Sequence, residues 1–186
     1  MTTDQGGRET DIFVVTFLEM TEPPTQPVPP MPIGPRMALV MADRPPSHWF
    51  LYLYGTVGKD WKWTDWFARP MAEVDAFVGD PLVTIHTLMT DGWPAGFFML
   101  DARSAAADGV CDLAYFGLMP EAIGQGLGRW LLATAVRTGW DVPNVSKLTV
   151  NTCTLDHPRA LPLYQKAGFV PVRRREYPMS GRPAAI

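Results

Sequence analysis

Apolar and polar positions follow two rhythms along this chain, and the changes of rhythm mark its elements. Ile12 to Leu18 (Ile-Phe-Val-Val-Thr-Phe-Leu) is an unbroken run of β-branched and aromatic residues, which predicts a strand. Leu82 to Thr90 and Pro94 to Asp101 are apolar runs joined by Asp91-Gly92, a pair suited to a hairpin turn. Val110 to Met119 is a third run, so these segments are expected to form an antiparallel meander, with polar Ala102 to Gly109 as a connection. Lys147 to Cys153 and Phe169 to Tyr177 predict two more strands, and Met37 to Met41 reads as a short strand or a helix edge.

Helical spacing governs the remainder. Pro45-Pro46-Ser47 looks like a helix start, followed by Trp49, Phe50, Leu53 and Tyr54 at helical intervals. Pro70 to Val78 predicts a second helix, stopped by Gly79-Asp80-Pro81. From Gly126 to Gly139, Leu131, Leu132, Ala135 and Val136 share one face and leave Arg129 and Arg137 outside it. A last helix is expected over Pro158 to Ala167, with Asp156 or His157 as N-cap, Gly168 as C-cap and a bend or shortening at Pro162. The order is strand, two helices, three strands, helix, strand, helix, strand. It predicts one α/β (α+β) domain over 11–180, a mixed, mostly antiparallel sheet flanked by helices, with flexible ends at 1–10 and 181–186.

Two segments break the pattern. Thr21 to Arg36 carries seven of the nineteen prolines, and a residue with a fixed φ and no N–H belongs in a stiff surface loop. Residues 48–67 hold eight of the 21 aromatics, which either fill the core between a helix and the sheet or wall a pocket.

Composition narrows the function classes. The 186 residues are 47% hydrophobic and 19% charged, ordinary for a globular domain with a core of its own. A net charge of −3 argues against a nucleic-acid partner, which calls for a basic face. No apolar run approaches the ~20 residues of a membrane span. Met1 to Thr10 has no apolar core of a signal sequence. Cys111 and Cys153 are too few for a disulfide framework and lack metal-ligand spacing. The expectation is a cytoplasmic protein with two buried thiols and no metal.

The chemistry concentrates in Leu118-Met119-Pro120-Glu121-Ala122-Ile123-Gly124-Gln125-Gly126-Leu127-Gly128-Arg129. A strand leads in and a helix leads out, so backbone N–H groups and a helix N-terminus converge where a phosphate can sit. Glycine lets the backbone close on the anion. Glycines at 124, 126 and 128 do not fit the Gly-x-Gly-x-x-Gly spacing, and no acidic residue closes the next strand, so a dinucleotide fingerprint fails. The chain also lacks the Gly-Lys-Ser/Thr of a Walker loop.

Three segments taken in order resemble the GNAT superfamily of acyl-CoA-dependent N-acyltransferases. Asp91-Gly92-Trp93-Pro94-Ala95-Gly96-Phe97 is similar to its hairpin. Leu118-x-Pro120 with Gly124-x-Gly126-x-Gly128-Arg129 is similar to its pyrophosphate loop. Ala160-x-x-Leu163-Tyr164-x-Lys166-x-Gly168-Phe169 is similar to its closing helix and strand. The chain departs from that pattern at Ile123, where the family usually has Arg or Gln, and at His157, where it often has Asn.

The resemblance implies a GNAT-like fold and direct transfer of an acetyl group from acetyl-CoA to a primary amine of a small molecule or peptide. It implies that backbone groups of Leu118 and Met119 hold the pantetheine arm, with the Met119 N–H polarising the thioester. It gives the diphosphate to the amides of Gly124, Gln125, Gly126, Leu127, Gly128 and Arg129. Asn151, ending the strand before the closing helix, is placed to touch the acceptor or the pantetheine amide, and His157 to make one further hydrogen bond to the cofactor. Tyr164 matches the acid that protonates the departing thiolate. An attacking amine must be neutral, and an alkyl ammonium has a pKa near ~10.4, so a proton acceptor is needed. Asp112 is the first candidate, placed by strand alternation on the face of Ala114, Phe116 and Leu118; Glu121 and Asp101 look like turn residues. The aromatic segment 48–67 would then wall the acceptor pocket. The alternative is a CoA-binding sensor of the same fold without turnover, which Ile123 favours. The acceptor is not named by the sequence, and a homodimer is left open.

Overall fold

Among the described residues seven strands form one sheet in the order β2-β3-β4-β5-β6-β1-β7. The structure is a computed structural model and describes residues 12–32 and 36–179. The expected flexible ends lie outside the described residues. The strands are β1 (Ile12–Met20), β2 (Met37–Ala42), β3 (Val83–Thr90), β4 (Trp93–Asp101), β5 (Val110–Leu118), β6 (Lys147–Cys153) and β7 (Val170–Pro178). The helices are α1 (Ser47–Gly58), α2 (Met71–Val78), α3 (Ala105–Asp108), α4 (Leu127–Trp140) and α5 (Ala160–Lys166).

The hairpin at Asp91-Gly92 forms as its residues dictate, with both in the left-handed region (φ 47° and 89°), and β3-β4-β5 is the expected antiparallel meander. Met37–Ala42 resolves as a strand, pairing with β3 from Met37↔Thr90 to Ala42↔Ile85. The connection after β4 contains one helical turn, α3, which ends at Gly109 in the left-handed region (φ 68°). The last helix is shorter than expected. Its N-cap is Arg159, because Asp156 is engaged elsewhere and His157 Nδ1 accepts the Arg159 N–H at 3.1 Å. Pro162 falls in the first turn, where its missing N–H costs little.

Two cores lie on opposite faces of the sheet. On one, Trp130, Leu131, Leu132, Ala135 and Val136 of α4 pack with Leu100, Leu113, Leu148 and Val150, and Tyr164 of α5 joins the edge of this cluster. On the other, Phe50, Leu53, Tyr54 and Val57 of α1 and Val74 and Val78 of α2 pack on Ile85, Phe97 and Met99. Each such side chain, fully buried, contributes ~1.5–3 kcal/mol. The aromatic segment therefore supplies core, with Phe50, Tyr54 and Trp66 buried. The proline-rich loop lies against α4: Pro29 carbonyl accepts from Trp130 Nε1 at 3.1 Å, and Val28 and Met31 pack on that core.

The approach of α1 to β5 depends on Gly117. A Cβ there would collide with Val57 Cγ1, so the missing side chain lets the helix sit against the strand. Gly117→Ala is expected to cost ~1–3 kcal/mol by overpacking. Adding Val57→Ala should restore part of that loss, and a strictly additive double variant in urea unfolding would refute the contact.

Candidate active site

The parallel pairing of β5 with β6 runs only through Val110↔Lys147, Cys111↔Leu148 and Asp112↔Thr149. Beyond that point β5 stays with β4, up to Gly96↔Leu118, while β6 stays with β1, up to Val15↔Cys153. The facing edges of β5 and β6 separate, and a cleft of about 650 Å³ opens there. That volume is typical of a small-molecule site. Its walls include Ala114 to Leu118 on one side and Asn151 and Cys153 on the other.

One end of the cleft is the glycine turn. Gly124 (φ 87°) and Gly126 (φ 79°) are both left-handed, and a Cβ at either would meet nothing within 4 Å, so the turn presents bare backbone to open space. Gly126 is the N-cap residue of α4, whose first N–H groups have no partner within the helix. Gly124, Gly126, Gly128 and Arg129 line the cleft, as does Ile123, which is 41% exposed. Gln125 and Leu127, expected to contribute their amides, turn their side chains elsewhere. Gln125 Nε2 donates to the Glu121 carbonyl at 2.8 Å, and the Leu127 side chain is buried in the core.

Tyr164 lines the middle of the cleft from α5, packed edge-on against Phe116 and Phe169, each with ring centroids 6.1 Å away. Burial pushes its phenol well above the usual tyrosine range, and the charges of Asp156 and Asp112 add to the shift. The hydroxyl therefore holds its proton throughout the physiological range. Asn151, Cys153 and His157 also reach the cleft. Asp156 fastens its floor. Its carboxylate accepts from Thr152 Oγ1 at 2.8 Å, from the Cys153 N–H at 2.8 Å and from Trp63 Nε1 at 3.3 Å.

The other end is aromatic. Val57, Trp61, Trp63, Asp65 and Tyr115 line it. Thus the segment 48–67 divides its aromatics between core and cleft. Asp65 was not a sequence candidate, although an acid set between Trp63 and Trp66 was a visible signal.

Two expectations are corrected. The Met119 N–H is not available to a ligand: it donates to the Ala95 carbonyl at 2.9 Å, and Met119 is buried. The antiparallel ladder with β4 continues one residue past the strand. Bonded and non-bonded pairs alternate along such a ladder, so the N–H groups of Leu118 and Phe116 are the ones aimed away from β4 into the cleft. Asp112 lies outside the cleft, at the last position where β5 still pairs with β6. Met99 opposes Tyr115 while Leu100 opposes Leu113, which makes Ala114 an extra residue in β5. An inserted residue reverses the alternation. Leu113, Phe116 and Leu118 consequently face α4, and Asp112 is turned to the opposite side, outside the cleft lining. Neither Asp101, paired with Arg103 at 2.6 Å, nor Glu121 lines the cleft. Neither Cys111 nor Cys153 forms a disulfide. Burial pushes the Cys111 thiol up to about 12, while Cys153 is only half-buried.

Among the described residues there is no group of three or more His, Cys, Asp or Glu side chains able to hold a metal ion, and no helix is long and apolar enough to cross a membrane. The Acetyltransferase (GNAT) family model matches residues 37–169. No curated protein matches the chain at significance. Among solved structures, a GCN5-related N-acetyltransferase from Kribbella flavida is 20% identical with a TM-score of 0.58, over 85% of this chain and 54% of that one. A tandem GNAT protein from the clavulanic acid biosynthesis pathway is 18% identical with a TM-score of 0.60, over 88% and 52%. An aminoglycoside N-acetyltransferase in complex with CoA is 17% identical with a TM-score of 0.54, over 77% and 93%. The chain thus spans about half the length of the first two.

Asp112 titrates visibly in stability. Burial pushes its carboxyl up to about 6; the Thr149 hydroxyl, donating at 2.5 Å, opposes that shift and the Asp101 charge adds to it. Between about 3.8 and about 6 the folded chain keeps a proton the unfolded chain has lost, so stability falls as pH rises through this window. Asp112→Asn retains the Oδ1 acceptor and removes that penalty. The variant should gain about 1 kcal/mol at pH 7, a figure reduced for partial exposure, and nothing at pH 3.5. Urea unfolding at both pH values reads the difference, and an equal gain at both would exclude this origin.

Proposed function

Because the chain belongs to the GNAT acetyltransferase family, we propose that it transfers an acetyl group from acetyl-CoA directly to a primary amine. The observation that carries this reading is the cleft between β5 and β6, which joins a bare-backbone glycine turn, a helix N-terminus and Tyr164 in one continuous space. The residues present suit a CoA thioester. An anion at the turn would meet the amides of Gly124 to Arg129 with no Cβ in the way, and the Arg129 side chain lies at the same end. An amide-bearing arm laid along β5 would complete the ladder positions left open by β6, using the N–H group of Phe116 or Leu118. Asn151 and His157 stand on the facing wall.

Acetyl-CoA supplies the activated acyl group: a C–N bond forms to the amine, the C–S bond breaks, and its electron pair stays on sulfur. The protein's tasks are to polarise the carbonyl, to receive the ammonium proton and to protonate the thiolate. One of the two inward-facing N–H groups, of Phe116 or Leu118, replaces Met119 in the first task and leaves the other to the arm. Tyr164, which lines the cleft from α5, performs the last. Asp112 does not enter the cleft, and the Asp156 oxygens are already engaged by three donors. We assign the ammonium proton to water in the open cleft.

Calorimetry with acetyl-CoA tests the first half of this reading, and release of free thiol in the presence of a pool of amines tests the second. Tyr164→Phe should slow thiol release by about 10²-fold with acetyl-CoA affinity nearly unchanged. Heat of binding with no thiol release under any amine would instead establish the sensor reading. No heat at millimolar acetyl-CoA would remove both.

A further inference from the structure

The two ends of the cleft differ in chemistry. The glycine turn brings bare amides, the N-terminus of α4 and Arg129 to the cleft and suits anions. The far half carries Trp61, Trp63, Tyr115 and the carboxylate of Asp65. Asp65 is half-buried on a short 3-10 turn, Asp65–Ala68, after α1. One of its oxygens, Oδ1, accepts from the Tyr54 hydroxyl at 2.5 Å. The Tyr54 ring is itself fully buried, so that oxygen is fixed in place. No Lys, Arg or His lies within ion-pair distance of Asp65 among the described residues. A negative charge is thus anchored by a neutral hydroxyl, beside aromatic side chains, on the wall of an open cleft.

The aromatic side chains are held as firmly. The Trp63 ring lies 5.4 Å from both Tyr54 and Tyr115, and its Nε1 is tied to Asp156. Gly58 permits this, because a Cβ there would collide with the Trp63 side chain. Trp61 sits edge-on to His157 at 5.2 Å. Indole faces and a carboxylate together attract an organic cation and a ring-sized apolar body.

Such surroundings stabilise the charged form of a bound amine. A nitrogen held charged has no lone pair for attack on a thioester, so the cation at Asp65 is not the reacting nitrogen. Building on the acetyl-transfer reading above, we propose that the acceptor carries two basic centres on a ring-sized apolar frame, one acetylated beside Tyr164 and the other held as a cation by Asp65, Trp61 and Trp63. Asp65 is then the residue that sets acceptor specificity.

Benzyltrimethylammonium cannot be acetylated, so its binding reads this subsite whether or not the chain turns over. By calorimetry it should bind at least about 10-fold more tightly than neutral benzyl alcohol. Asp65→Asn keeps an oxygen for the Tyr54 hydroxyl and should abolish that difference. Equal binding of the two probes to the native chain would overturn the proposal without any variant. In thiol release, 1,4-bis(aminomethyl)benzene should have a KM about 10-fold below that of benzylamine, and Asp65→Asn should bring the two together without raising the KM for acetyl-CoA. Selective cation binding without thiol release would leave the subsite standing and remove the acetyl-transfer reading. Thiol release with no preference for charge would do the reverse.

Discussion

The parting of β5 from β6 after Asp112 and Thr149 is the constraint on which the site depends. A strand edge without a neighbour leaves N–H and C=O groups unpaired, a state that is costly when buried and useful when a ligand can supply the missing partners. Here each strand keeps its other neighbour, β4 or β1, so the sheet remains continuous around the opening. Tyr164 from above, the glycine turn at one end and the indoles at the other all converge on the space the two strands vacate.

Holding that gap open requires shape on both faces. On the α1 side, Gly117 and Gly58 remove side chains so that Val57 and Trp63 can stand at the wall. On the α5 side, Asp156 gathers Thr152, Cys153 and Trp63 into one polar knot, so the floor and the aromatic wall are tied to each other. The knot joins residues 93 positions apart in sequence. It couples the end of α1 to the loop that precedes α5.

The elements with strong local signals were legible in the sequence. The Asp91-Gly92 hairpin, the meander, the apolar stripe of α4 and the glycine turn follow from turn chemistry and periodicity, both of which act over a few residues. The strand order was not legible, because nothing local to Ile12–Met20 tells that it enters between β6 and β7. The two corrected expectations have separate origins. Asp112 is placed by counting along β5, which assumes uniform alternation, and Met119 by the family resemblance. One extra residue at Ala114 inverts the face of Asp112, and one extra ladder bond occupies the Met119 amide. Asp156 gives no local sign of its place on the wall, because its partner Trp63 lies 93 residues away, whereas Asp65 stands between Trp63 and Trp66, 11 residues from Tyr54.

The central place of β1 has a bearing on how the chain is made. Its partners are Leu148 to Cys153 on one side and Val170 to Pro178 on the other, so neither exists until some 130 residues after it have left the ribosome. Contacts of such long separation form late, since loop closure must precede them. During synthesis Ile12–Met20 is an apolar ribbon with no neighbour, while the β3-β4-β5 meander can already assemble. The pairing of β1 with β6 and β7 thus closes the sheet last, and the half of the cleft built on β6 comes into being only with that closure.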